Sequence, residues 1–110
     1  MTEKIVSLGN FELLIMLALC DVRPNAYGVT IVRAAERRRR GSPVSLGAVY
    51  TTLERLEEKD LVRSWKSDST PIRGGRKKRL FELTERGRQS LDHSLGAFEV
   101  SSLQLAPTGA

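Results

Sequence analysis

Residues 45–61 read SLGAVYTTLERLEEKDL. Ser45 is a helix-capping residue type, and Leu46, Val49, Leu53 and Leu56 follow it at the spacing of one buried helical seam. The predicted helix runs to about Lys59. Asp60 then falls where the chain must turn, and a left-handed backbone is expected there, which Asp tolerates better than most residues. Downstream, Leu61 to Lys66 and Lys77 to Leu83 pattern as strands, with Phe81 and Leu83 on one face. Between the strands, residues 68–76 read DSTPIRGGR, too polar and too broken by Pro and Gly for regular structure. Helix, strand, basic loop, strand is the layout of a winged helix-turn-helix. The expected fold class is therefore mainly α with a small β-hairpin wing (α+β), completed by a carboxy-terminal helix.

Upstream, Asn10 is expected to cap a helix that runs through Cys20, and Pro24 forbids its continuation. Phe11, Leu14, Ile15 and Ala18 form one side of it, and Leu13, Met16 and Leu17 much of the rest. A helix apolar nearly all round is buried on two sides. Either it is the central helix of a monomer or its second side meets another subunit, and a chain this small favours the second. Ala26 to Arg40 forms the next predicted helix, burying Tyr27, Ile31, Ala34 and Ala35 and turning Arg33, Glu36 and Arg37 outward. Gly41-Ser42-Pro43 ends it, and Arg37 to Arg40 suit the negative end of its dipole, either as a solvated terminus, which is favoured, or as a direct phosphate contact. Beyond the hairpin, Thr84 caps a last helix whose Leu91, Leu95 and Phe98 recur at helical spacing. The exposed side of the first helix is where that stripe would dock, and docking in trans makes a two-fold dimer. The expected organisation is a winged-helix domain over residues 1–83 with a loose arm at 1–7, a dimerisation helix at 84–105, and a flexible tail at 106–110.

The chain has 110 residues, a net charge of +5 and 40% apolar residues, which allows one modest domain and favours a polyanionic partner. Its cations are unevenly placed. Arg73, Arg76, Lys77, Lys78 and Arg79 lie between Ser69 and Phe81 with no carboxylate among them. The single cysteine, Cys20, fits a reducing compartment and reads as a small buried hydrophobe. With no signal-like start and no long apolar run, a cytoplasmic protein is expected. His93 has no cysteine or carboxylate cluster at ligand spacing, so neither a catalytic set, a metal site nor a cofactor is expected.

Taking the seam from the third helix leaves Gly47, Ala48, Thr51, Thr52 and Arg55 facing outward, with Ser45 at the cap. Small and hydroxyl residues let a helix approach the floor of the DNA major groove, and Arg55 reaches phosphate or a guanine edge. Glu54, Glu57, Glu58 and Asp60 would repel phosphate, so the amino-terminal half alone is expected to enter the groove. Tyr50 lies beside the seam, with a phenol able to donate to phosphate. Arg73, Arg76, Lys77 and Lys78 of the wing supply salt-sensitive backbone contacts. Two other readings fit the same chain: a winged helix used for protein contact without DNA, and a small basic RNA-binding protein, although the strands offer only Trp65 and Phe81 for base stacking.

These residues resemble the PadR-type transcriptional regulators. The resemblance begins at Leu8-Gly9-Asn10-Phe11-Glu12-Leu13-Leu14-Ile15 and Ala26-Tyr27-Gly28, and is strongest over Leu46 to Glu57. It continues at Gly75-Arg76-Lys77-Lys78-Arg79 and at Leu83-Thr84-Glu85-Arg86-Gly87, spanning about residues 8 to 95 in order. The resemblance implies a bacterial, homodimeric, winged-helix repressor of a palindromic operator on double-stranded DNA. It places Leu91, Leu95 and Phe98 in the dimer contact, with Phe11 and Leu14 on the facing helix. Many relatives release DNA on binding a small, often aromatic, compound. Here the carboxy-terminal segment has no tryptophan, and Trp65 sits at the wing base, where packing is expected, so any small-molecule effector is unidentified. Asp60 stands where relatives often have glycine.

Overall fold

The computed structural model describes residues 8–67 and 78–105, with side chains described as far as Gly96. Its elements run α1 (Asn10–Asp21), α2 (Gly28–Arg38), α3 (Leu46–Glu58), β1 (Val62–Lys66), β2 (Arg79–Leu83) and α4 (Glu85–Leu105). Four helices and one antiparallel hairpin give the mainly α winged-helix architecture expected from the pattern.

The apolar periodicity explains the core. Ile15, Met16, Ala18 and Leu19 of α1 meet Ile31, Ala34 and Ala35 of α2 and Val49, Leu53 and Leu56 of α3. Val62 and Phe81 close the core from the hairpin. Phe11, Leu13, Leu14 and Leu17 pack against this cluster yet stay half-buried, so one side of α1 is incompletely covered by its own chain.

Helix ends account for several differences from the sequence reading. Gly9, not Asn10, is the residue before α1, and its N–H donates to the Glu12 carboxylate at 3.1 Å. Thr30 Oγ1 accepts from the Tyr27 N–H at 3.0 Å, so α2 starts later than Ala26. Glu36 is not turned to solvent. It accepts from the Val44 N–H at 3.0 Å and so holds the turn that leads into α3. Arg40 takes the left-handed position after α2, with φ of 55°, and Gly41 follows at φ of 87°. Ser45 caps α3 as expected, accepting from the Ala48 N–H at 3.1 Å. Asp60 adopts the expected left-handed conformation, with φ of 63°. The Leu61 N–H donates to the Leu56 carbonyl at 2.9 Å and the Asp60 N–H to that of Glu57 at 3.0 Å, a paired closure of the helix end.

In the hairpin Val62 faces Leu83, Ser64 faces Phe81 and Lys66 faces Arg79 on one side; Arg63–Glu82 and Trp65–Leu80 lie on the other. The Phe81 N–H donates to the Ala26 carbonyl at 2.9 Å, fastening the hairpin to the segment before α2. Trp65 is not packed away, because its strand position points it to the outer face, where it is 40% exposed.

Thr84 joins the two halves. Its Oγ1 donates to the Asp60 carbonyl at 2.6 Å, its N–H donates to the Leu61 carbonyl at 3.0 Å, and the same Oγ1 accepts from the Gly87 N–H at 3.0 Å. A methyl group on Gly87 would overlap the backbone carbonyl of Leu61, so the first turn of α4 lies directly on that turn. Two ion pairs tie the helices at their rims: Lys59 with Glu12 at 2.8 Å, and Arg38 with Asp21 through two bonds of 2.6 and 2.8 Å. Burial alone would raise the Glu12 carboxyl, but the Lys59 and Gly9 hydrogen bonds and nearby cations hold it below its usual value. The Arg38 hydrogen bonds hold Asp21 low as well.

Opposite glycine exchanges should shift stability in opposite directions in urea titrations. Gly87→Ala should destabilise the fold by about 2–3 kcal/mol through the clash with Leu61, and Asp60→Gly should stabilise it by about 0.5–1 kcal/mol by relieving the left-handed strain.

The ion pairs generate a pH dependence. Both carboxyls have lowered folded-state values, so their contribution is complete above the unfolded value near pH 4 and is lost as pH falls through the folded value. A Glu12→Gln, Asp21→Asn double variant should be less stable than the parent at neutral pH, by about 1 kcal/mol or less because the pairs are partly exposed. Near pH 2 the two proteins should unfold at about the same denaturant concentration.

Candidate nucleic-acid interface

The third helix presents a graded surface. Gly47, Ala48 and Thr51 are exposed in its amino-terminal half, and Glu54, Glu57 and Glu58 in its carboxy-terminal half. Ser45 is exposed at the cap. Its oxygen accepts the Ala48 N–H, which leaves its proton free to donate to another acceptor. Arg55 is exposed on the flank nearest α1, close enough to Glu12 to lower that carboxyl.

Two positions exchange roles relative to the sequence reading. Thr52, expected to face outward, is 7% exposed and lies in the core between Val49 and Leu56. Leu46, expected in the seam, is 43% exposed. Thr52 belongs to the buried stripe by spacing, three residues after Val49 and four before Leu56; for Leu46 the cause is the neighbouring helix. Gly28 at the start of α2 has no side chain to cover the beginning of α3, and the Tyr50 hydroxyl and a Leu46 methyl occupy the space where its Cβ would stand. Tyr50 therefore rests on α2, and the residue is still 42% exposed. The bare Gly28 and the one-turn spacing of Leu46 and Tyr50 were the signals for this contact.

The base of the wing is the second charged surface. Lys66 and Arg79 are directly opposite each other across the ladder, and both are exposed with Lys78. Like charges facing across strands oppose pairing, so the arrangement builds a positive edge at some cost to the hairpin. Lys78 Nζ sits 4.2 Å from the centre of the Tyr27 ring, a contact the sequence did not reveal. Arg79 Nη1 donates to Ser64 Oγ at 2.8 Å, and Ser64 Oγ donates to Glu57 Oε2 at 2.8 Å, which links the wing base to the far end of α3. Arg73, Arg76 and Lys77 lie outside the described residues.

The residues assigned to a dimer contact divide likewise. Phe11 and Leu14 of α1 and Leu95 of α4 are half-buried. Leu91 is 6% exposed within the single chain, so it fastens α4 to its own core and is not free for a partner. The Phe98 side chain lies outside the described residues.

Among the described residues no group of His, Cys, Asp and Glu is placed to hold a metal ion, and no helix is long and apolar enough to cross a membrane. Burial pushes the Cys20 thiol up from its usual value, against an ionised nucleophile.

Comparison with known proteins gives the family. No curated protein matches the chain significantly. Among solved structures, a PadR-like transcription factor from Bacteroides fragilis is 25% identical, with a TM-score of 0.71 over 86% of this chain and 85% of its own. A PadR family transcription regulator from Clostridium difficile is also 25% identical, with a TM-score of 0.70 over 88% of this chain and 95% of its own. A PadR-like transcriptional regulator from Bacillus cereus, 18% identical with a TM-score of 0.66 over 86% of each chain, shares the fold. The profile of the transcriptional regulator PadR-like family matches residues 16–93. From the graded third helix to the glycine at the foot of the fourth, the chain belongs to the PadR-like family of transcriptional regulators.

Proposed function

We propose that the protein is a homodimeric, sequence-specific DNA-binding regulator that represses transcription from a palindromic operator. In this reading residues 1–83 form the DNA-binding unit and residues 84–105 the dimerisation helix. The observation that carries it is the polarity of α3 together with the charge of the wing base. Its exposed amino-terminal half is free of carboxylates, and the wing base holds Lys66, Lys78 and Arg79 close together despite their mutual repulsion, with Lys78 over the Tyr27 ring that precedes the Gly28 contact. A winged helix used only for protein contact has no need of such a positive edge. A single-strand RNA surface would need aromatics arrayed on the sheet, and the outer face of the described hairpin offers one, Trp65.

Ser45, Gly47, Thr51 and Arg55 approach base edges in this account, with Tyr50 at the rim, while Arg73, Arg76, Lys77 and Lys78 neutralise phosphates. Arg55→Ala should weaken operator binding more than binding to random DNA. Arg76→Ala or Lys77→Ala should weaken both and flatten the salt slope by about one phosphate contact each. Fluorescence-anisotropy titrations across a salt series check this, and equal losses for all three variants on both DNAs would sink the division of labour.

The half-buried side of α1, with Phe11 and Leu14, supports a partner helix lying across it. Leu95 and Phe98 supply the apolar stripe on α4. Phe98→Asp should reduce the mass seen by light scattering from dimer to monomer, and an unchanged mass would refute the assignment.

A further inference from the structure

Leu46 and Tyr50 raise a question that core packing does not answer. They lie one helical turn apart, both touch the space above Gly28, and both keep more than two-fifths of their surface in water. Val29, which follows Gly28, is exposed as well. Contact with Gly28 accounts for the buried part of each side chain. The surface left in solvent lies on the helix half that is free of carboxylates, with Ser45, Gly47 and Thr51, and the Gly28 contact adjoins Tyr27, whose ring carries Lys78. Covering that surface removes apolar area from water, and an apolar group on the partner can do so without losing hydrogen bonds of its own. The major groove offers one such group, the C5-methyl of thymine.

We infer that Leu46, seated against Tyr50, reads a thymine methyl in each half of the operator. The inference rests on the DNA-binding function proposed above and specifies how the sequence is chosen. Gly28 sets the geometry, because a side chain there would displace the Tyr50 ring and with it the wall behind Leu46. Ser45 and Thr51 supply hydroxyls for polar base edges on either side. Hydroxyls alone discriminate weakly, and the methyl contact supplies a distinction they lack.

The test uses the full-length chain and deoxyuridine. An operator is first selected from a pool of random duplexes, and each thymine in it is then replaced singly by deoxyuridine, which removes the methyl and keeps the base pair. At one position in each half-site the replacement should weaken binding about fourfold, as for one buried methyl group; the remaining thymines should respond by much less. Leu46→Ala should bind the thymine and deoxyuridine operators alike, whereas Leu46→Met should keep the discrimination. A selected operator in which no thymine responds overturns the inference and leaves the regulator standing. An equal response in Leu46→Ala assigns the methyl to another residue and overturns it too. If the selection enriches no sequence, the regulator reading fails, and this inference with it.

Discussion

The turn at Asp60 and Leu61 is the constraint on which the other elements depend. Its two carbonyls receive both donors of Thr84, and the Thr84 hydroxyl in turn caps the first turn of α4. Four elements therefore end or begin within one small volume: α3 above it, β1 leaving it, β2 returning to it and α4 starting on it. Asp60 must be left-handed for the chain to leave α3 toward the strand, and Gly87 must lack a Cβ for α4 to lie on the Leu61 carbonyl. Leu56 and Leu61, wholly buried on either side of the turn, anchor it in the core while Asp60 itself faces solvent.

Much of this was legible in residues 45–87. The cap at Ser45, the left-handed turn at Asp60, the pairing of the strands and the cap at Thr84 follow from local chemistry, and local chemistry is what a sequence displays. Most of what escaped was decided by atoms distant along the chain. Leu46 is left half in water because Gly28, eighteen residues before it, has no side chain to cover it, which α3 alone cannot show. Thr52, three residues after Val49 and four before Leu56, falls on the buried stripe by periodicity itself and was misassigned to the outer face. Glu36 turns inward because the Val44 N–H needs an acceptor, and Arg38 is drawn from its basic run by Asp21 across the helix pair. In the candidate site, the hydroxyl and small residues of α3 were readable in advance. The Tyr27–Lys78 contact and the Arg79–Ser64–Glu57 chain were not, since both join residues brought together only by the hairpin.

Electrostatics divides α3 in a useful way. Its carboxylates at the carboxy-terminal end face the dipole unfavourably, and Glu57 is instead engaged by Ser64 and, through it, by Arg79. That chain ties one wing-base cation, Arg79, to α3. A phosphate approaching the hairpin therefore meets cations with different freedom: Arg79 held in a network, Lys78 over a ring, Lys66 exposed and, among the described residues, in neither contact. Steering depends on their summed charge, but a fixed docking register needs the held ones, because a tethered cation loses less freedom on binding.

The first helix connects this surface to the proposed assembly. One side of α1 is part of the core and fixes α2 and α3; the other keeps Phe11, Leu13, Leu14 and Leu17 half-covered. Two protomers joined across that side would have their third helices separated by a distance set through rigid, closely packed helices and not by a linker. Half-site spacing on DNA is a geometric quantity, so small changes of packing along α1 would alter which operators both helices can reach together. The rim pairs Lys59–Glu12 and Arg38–Asp21 lie along that path, one at each end of α1. Exposed ion pairs of this kind add little stability, but they oppose rotation of α2 and α3 about the core, and orientation is what a two-site contact with DNA requires.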